Sequence, residues 1–284
     1  MRATGSLSGK GMRVPFPFGQ IGENGYICIQ LTRGQNCHRR RQSGQGYQND
    51  SCEMKETLRF LQDLSLHNDK EWFDANKDRY LAAKATVEAF AADLLSGIRS
   101  FDDTVGPLSP KDCTYRIYRD LRFSKDKTPY KTHMGLYINQ GGKKSGYSGY
   151  YFHVGAKSYG NMVAIGDIWC PPEVLKVIRE DIQLGGGDFR KILSEVDPRL
   201  VIDDRGALKR VPAPFPSDTP DAPFYKLKAF CLYYAPDDRF VTSKDLAARM
   251  VDLFRTTKPF LDYINRAIDF VREEKKEYFS SLVF

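Results

Sequence analysis

The 284-residue chain contains no run of 18 or more apolar residues, so no membrane-spanning helix is expected. Its first 30 residues lack the basic segment, apolar run and small-residue cleavage site of an export signal, and a soluble, cytoplasmic protein is the expectation. Cys28, Cys37, Cys52, Cys113, Cys170 and Cys231 are widely spaced singletons, with no C-x-x-C pair and no cysteine–histidine cluster at zinc spacing. Free thiols in a reducing compartment follow, rather than a disulfide framework. Four histidines with no H-x-H or H-E-x-x-H spacing argue against a metal site. No internal repeat and no phosphate-binding G-x-x-x-x-G-K-[ST] loop is present. What the chain does have is 41% hydrophobic residues, enough to bury a core and to exclude wholesale disorder, collagen and coiled-coil rods.

The formal charge of +7 is unevenly spread. Residues 1–53 hold seven Lys/Arg against three acids, a local +4, which leaves +3 for the other four-fifths of the chain. Whole-protein charge is therefore a poor argument for nucleic-acid binding, and local charge has to carry it. The same 53 residues hold nine of the 23 glycines and the run Cys37-His38-Arg39-Arg40-Arg41, without helical or strand periodicity. We expect a low-complexity leader there, with Met54 as a candidate natural start; the rival reading is a basic tail for nucleic acid or a partner.

After Met54 the patterning becomes that of a folded domain. Phe60, Leu61, Leu64 and Leu66 give a first helix its apolar face, and Asn68 with Glu71 reads as an N-cap and capping box for a second. Val87, Phe90, Ala91, Leu94, Leu95 and Ile98 form the stripe of a helix packed on one side. The period then changes to two. Met134, Leu136 and Ile138 alternate with His133, Gly135 and Tyr137, and beyond the Gly141–Gly146 hairpin tip Tyr150, Phe152 and Val154 alternate with Tyr151, His153 and Gly155. A third alternating run at 161–169 completes an antiparallel meander. Pro171-Pro172 opens another helix that Gly185-Gly186-Gly187 ends, Asp188 caps a short one, and 228–235 reads as a strand. Thr242 with Asp245 opens a last long helix, kinked near Pro259. The expected class is α+β, one domain over 54–269 with an antiparallel sheet flanked by helices, followed by a charged tail at 270–284.

One segment concentrates chemistry. Between Lys111 and Lys131 seven Lys/Arg meet three Asp, a local +4 in 21 residues interleaved with aromatics. Read as a strand, it puts Arg116, Tyr118, Asp120 and Arg122 on one face; read as a helix, it gathers Arg116, Arg119, Asp120 and Phe123. Either way guanidinium groups surround a carboxylate.

Arg116, Arg119, Asp120, Arg122, Phe123, Asp126, Lys127 and Tyr130 also fill every fixed position of R-x-x-R-D-x-R-F-x-x-[D/N]-K-x-x-Y. This resembles the signature of the DUF2461 family, and the similarity runs from Met54 to about Asp269, including an early element at Asn68, Trp72, Phe73, Asn76, Lys77 and Tyr80. The resemblance brings no activity with it, so function rests on the side chains.

Guanidinium forks bind phosphate or carboxylate bidentately, lysine adds a mobile charge, and Tyr130 offers a hydroxyl or a stacking face. The leading expectation is a site for an anionic, phosphate-bearing ligand, a small molecule or nucleic acid, formed by Arg116, Arg119, Asp120, Arg122, Asp126, Lys127 and Tyr130. The alternative is a non-enzymatic interaction module in which the same Arg/Asp network only pins the loop. Neither a reaction nor a cofactor is readable. Weaker candidates are a facing His133–His153 pair, Mg²⁺ on Asp120 and Asp126, phosphate contacts from Lys143 and Lys144, and base stacking on Tyr147, Tyr150 and Tyr151. Sheet-face histidines, loop-pinning aspartates, a hairpin tip and ordinary aromatic packing are their structural counterparts.

Overall fold

The computed structural model describes residues 50–281 apart from Phe123, with side chains described within residues 53–275. The leader expected at 1–53 lies almost wholly outside the described residues. Helices α1 (Asp50–Leu66), α2 (Lys70–Ala75), α3 (Lys77–Arg99) and α4 (Pro110–Cys113) come first, followed by strands β1 (His133–Asn139), β2 (Gly149–Gly155) and β3 (Met162–Gly166). Then come α5 (Pro172–Leu184), α6 (Asp188–Glu195), β4 (Val201–Ile202), α7 (Ala222–Tyr225), β5 (Cys231–Tyr234), α8 (Asp238–Val241), α9 (Leu246–Arg255) and α10 (Lys258–Ser281). The five strands form one antiparallel sheet in the order β1-β2-β3-β5-β4, so the chain leaves β3 through α5 and α6, re-enters at the edge as β4 and returns through α7 to lay β5 between β4 and β3. The class is α+β, as the periodicities predict.

Alternation along the strands sorts the sheet into two unlike faces. Leu136, Ile138, Tyr150, Phe152, Val154, Val163, Ile165 and Leu232 belong to the main core, which α1, α3, α9 and α10 cover with Leu61, Leu94, Phe254 and Phe260. Burial of such side chains, each worth roughly 1.5–3 kcal/mol, is the main force holding the helices to the sheet. The opposite face carries a separate small cluster of Met162, Ala164 and Cys231 with Tyr151 and Tyr233. Among the described residues, no helical side chain joins this cluster or lines the cavity beside it; loop residues do so instead.

Several local expectations are corrected. Helix α1 begins at Asp50, four residues before Met54, whose side chain is buried in the core. The N-cap of α2 is Asp69, whose carboxylate accepts the Trp72 N–H at 2.8 Å, because Asn68 is engaged elsewhere. Gly187, at φ 110°, caps α6 in place of Asp188, which becomes its first residue. The single kinked C-terminal helix is three helices. Thr242 closes α8, Asp245 stands at the N-cap of α9, and Pro259 sits in the first turn of α10, where its missing N–H costs nothing. The charged segment after 269 continues α10 rather than leaving it. Among the described residues no helix is long and apolar enough to cross a membrane.

Candidate functional site: a tyrosine-lined cavity under the signature loop

The signature segment is neither a regular strand nor a helix. It doubles back along the outer edge of β1, with Thr114 bridged to Leu136 and Tyr118 bridged to Tyr130. Tyr115 donates its N–H to the Gly135 carbonyl at 3.1 Å, Lys131 to Ile117 at 2.8 Å and Arg119 to Pro129 at 3.0 Å. Ile117, 1% exposed, anchors the near arm in the core. On the far side Asn68 takes the place of a further strand: its Nδ2 donates to the Tyr130 carbonyl at 2.9 Å and its Oδ1 accepts the Tyr130 N–H at 3.0 Å. The Tyr130 ring lies flat on Phe73, centroids 3.9 Å apart and 13° from parallel. Phe73 of helix α2 and Asn68, two residues ahead of the helix, thus hold the end of the signature.

Within the loop the charges divide into pairs. Arg119 bonds Asp126 and Thr128 and reaches Ser124 at 3.3 Å, and Asp126 also accepts the Thr128 N–H at 2.9 Å. Those bonds, the Thr128 N–H first, hold the Asp126 carboxyl down at about 2. Arg122 grips Asp120 through Nε and Nη2 at 3.0 and 2.6 Å, and this bond brings Asp120 to about 2 as well. The Arg122–Asp120 pair is solvent-exposed on both sides. Lys127 is exposed and donates to the Leu121 carbonyl at 3.1 Å. Tyr130 is buried in its stack on Phe73.

Arg116 alone of the expected site residues lines a cavity. This cavity, of about 400 Å³, lies on the sheet face opposite the main core. Its floor is set by cross-strand neighbours: Gly135 opposite His153, Tyr137 opposite Tyr151, Tyr151 opposite Ala164, and Gly166 opposite Cys231. Small residues at 135, 164 and 166 leave the space, and the tyrosines wall it. Gly135 is required to be small, since a Cβ there would sit 3.0 Å from the Tyr151 hydroxyl and 3.1 Å from the His153 Cβ. Tyr115, Tyr147 and Tyr159 complete the aromatic lining, and Lys131, His133, Lys143 and Asp167 supply the polar groups.

Their electrostatics is unbalanced. Neither the Arg116 nor the Lys131 side chain makes a hydrogen bond or ion pair among the described residues. Burial, then the neighbouring Arg116 and Lys143 charges, lower the Lys131 pKa. Lys143 is also lowered by burial; it bonds the carbonyls of Lys111 and Thr114, and its ammonium and that of Lys131 lie 5.2 and 5.6 Å from the Tyr115 ring centre. His133 and His153 do face each other, ring centres 5.1 Å apart. His153 donates through Nε2 to the Gly160 carbonyl at 3.2 Å, which leaves Nδ1 to accept the Tyr151 hydroxyl at 3.0 Å. Burial holds His153 down at about 4, and burial with the His153, Lys131 and Arg119 charges holds His133 at about 3, so both are neutral at pH 7. His133 stacks on Tyr159 and its Nδ1 is buried without a partner. Among the described residues no cluster of three or more His, Cys, Asp or Glu could hold a metal ion.

Residue-by-residue reading missed Lys131, Tyr115, Tyr137, Tyr159 and Asp167, and treated Lys143 and Tyr151 as weak candidates. The signal was the second face of the strands: His133, Gly135 and Tyr137 on β1, with Tyr151 and His153 on β2, are not the Lys and Glu of a solvated sheet. Of the three neighbouring tyrosines, Tyr147 and Tyr151 line the cavity, whereas Tyr150 points into the core and donates its hydroxyl to Asp102 at 2.9 Å.

Residues 56–263 match the model of the DUF2461 family, described as a conserved hypothetical protein. No curated protein and no solved structure matches the chain.

Proposed function

Because the chain belongs to the conserved hypothetical family DUF2461, whose description carries no activity, its function has to be read from its own cavity, and we propose that this cavity binds a small anionic, phosphate-bearing ligand. The observation that carries the reading is the pair Arg116 and Lys131, two cations lining one cavity whose side chains make no ion pair among the described residues, Asp120 feeling the Arg116 charge only at longer range. Burial drives Lys131 toward its neutral form, so an incoming anion stabilises its charge, and charge-assisted hydrogen bonds of this kind contribute about 1.5–3 kcal/mol each. Tyrosine walls suit a ligand with an unsaturated or planar body. A volume of about 400 Å³ suits a small molecule or a single nucleotide better than a continuous strand of nucleic acid. Cytoplasmic placement belongs to the same proposal, supported by the free thiols Cys113, Cys170 and Cys231.

A second reading has its own support. Arg119 with Asp126, and Arg122 with Asp120, form local pairs that shape the loop, as a non-enzymatic interaction module needs. Thermal shift and calorimetry with inorganic phosphate, ribose 5-phosphate and nucleotides at two salt concentrations separate the two. Wild type should be stabilised by a phosphate ester at low salt, and less so at high salt. Arg116→Ala with Lys131→Met should fold and lose that response, whereas Arg122→Ala with Lys127→Ala should keep it. Failure of every phosphate compound to bind wild type refutes the cavity reading and leaves the module.

A further inference from the structure

The cavity also contains a carboxylate that does not neutralise its cations. Asp167 follows Gly166 at the end of β3 and lines the cavity with Arg116 and Lys131, yet among the described residues it makes no ion pair. It accepts the Trp169 N–H at 3.0 Å and a bond from the Ile168 N–H. A carboxylate offers about four acceptor positions, so two remain. The register sets it far from the cationic end: Gly166 stands opposite Gly149, and Gly149 opposite Asn139 at the end of β1, whereas Lys131 precedes His133 at its start. Seven residues of strand at about 3.4 Å each separate the two backbones, and both ends line the same cavity. Burial raises the Asp167 pKa, which fits a group that lacks a permanent cation.

A ligand that satisfies both ends is anionic at one end and a hydrogen-bond donor at the other, with a flat body between. We propose that the cavity takes a mononucleotide whose base carries an exocyclic amino group: the phosphate on Arg116 and Lys131, the base among Tyr115, Tyr137 and Tyr151, and the amino group on Asp167. The inference rests on the anion-site reading above and narrows its ligand class. Stacking on tyrosine tolerates any base, so discrimination falls to Asp167. A buried acceptor left without its donor is the stronger source of selectivity, since the ligand lacking the amino group strands a desolvated carboxylate.

Calorimetry on the full chain compares AMP, CMP and GMP with the same three nucleotides lacking the exocyclic amino group, with ribose 5-phosphate as the phosphate-only probe. At least one amino nucleotide should bind ten-fold or more tightly than its counterpart. In Asp167→Asn, which replaces one acceptor oxygen with a donor, that preference should vanish while ribose 5-phosphate binds as before; Asp167→Ala gives the same result if the amide variant does not fold. Equal binding of all three pairs to wild type overturns the inference but leaves the anion site standing, provided ribose 5-phosphate still binds. If ribose 5-phosphate and all six nucleotides fail, both readings fall. A preference that survives in both Asp167 variants assigns recognition elsewhere and overturns the role given to Asp167.

Discussion

Replacing Asn68 by alanine removes both hydrogen bonds that close the signature segment on its outer side. Tyr118 and Tyr130 are bridged through Arg119 N–H to Pro129 and Lys131 N–H to Ile117, so the N–H and carbonyl of Tyr130 itself face the other way and depend on the Asn68 amide. Tyr130 is 5% exposed. A buried backbone group deprived of its partner costs about 1–3 kcal/mol, and Asn68 is half-buried, so water reaches the vacated side and moderates the loss. The expected destabilisation for the pair of groups is about 2–3 kcal/mol. For a domain of this size 1 kcal/mol corresponds to about 2–4 °C, which puts the fall in Tm at about 4–12 °C.

Urea denaturation of wild type, Asn68→Ala, Phe73→Leu and the double variant measures this and tests its route. Phe73 supports the same residue through ring stacking, worth about 0.5–1.5 kcal/mol beyond burial. Both substitutions therefore act through Tyr130, and their effects should depart from additivity by about 0.5 kcal/mol or more. Lys131 is the next residue, so Asn68→Ala should also weaken the stabilisation by phosphate esters more than its stability loss alone explains. A loss below about 0.5 kcal/mol, or strict additivity with Phe73→Leu, refutes the idea that Asn68 stands in for a strand.

Stability should fall between pH 6.5 and about 4, because the unfolded chain takes up protons near the ordinary histidine value of about 6.5, whereas burial keeps folded His133 and His153 neutral down to about 3 and 4. The contribution is fully present above pH 6.5, each histidine adds a slope of up to about 1.4 kcal/mol per pH unit below it, and His153→Gln should remove about half of it in pH-dependent denaturation. Asp120→Asn should leave the denaturation midpoint unchanged, since its pair with Arg122 is exposed; a clear shift would show that the pair supports the fold. Gly135→Ala should cost about 1 kcal/mol through crowding of Tyr151, His153 and the Phe152 carbonyl, and nuclear magnetic resonance of the His153 ring should register the lost Tyr151 bond; an undisturbed ring signal counts against the floor geometry.

Fold class was legible because β1 and β2 advertise their core face by alternation and α3 by its apolar stripe, whereas the two-residue β4 offers no period to read. Boundaries were less so where one residue could serve two purposes. Asn68 has the chemistry of an N-cap, but Asp69 beside it has the same chemistry, and only the approach of Tyr130 from 62 residues away decides which one caps α2. Pro259 likewise fits a kink or a helix start, and the Thr256–Thr257 break before Lys258 settles it as the latter.

The signature was legible as a unit of charge and opaque as a unit of function, for a reason of geometry. Local Asp/Arg spacing at i, i+2 and i, i+7 lets Asp120 meet Arg122 and Asp126 meet Arg119 without help from the rest of the chain, so both arginines of the densest charge cluster are paired within it. Arg116 makes no ion pair because Asp120, the loop acid its charge still acts on, is held by Arg122, and the backbone bonds at Tyr115, Ile117 and Lys131 hold this arm against β1. It then joins Lys131 and Lys143, and lies across the cavity from Asp167, drawn from four stretches of chain that only sheet pairing brings together. Self-paired charges set the shape of the loop, and unpaired ones are left to meet a ligand. The proposed anion site therefore turns on Arg116 and Lys131 rather than on the richer Arg119–Lys127 stretch.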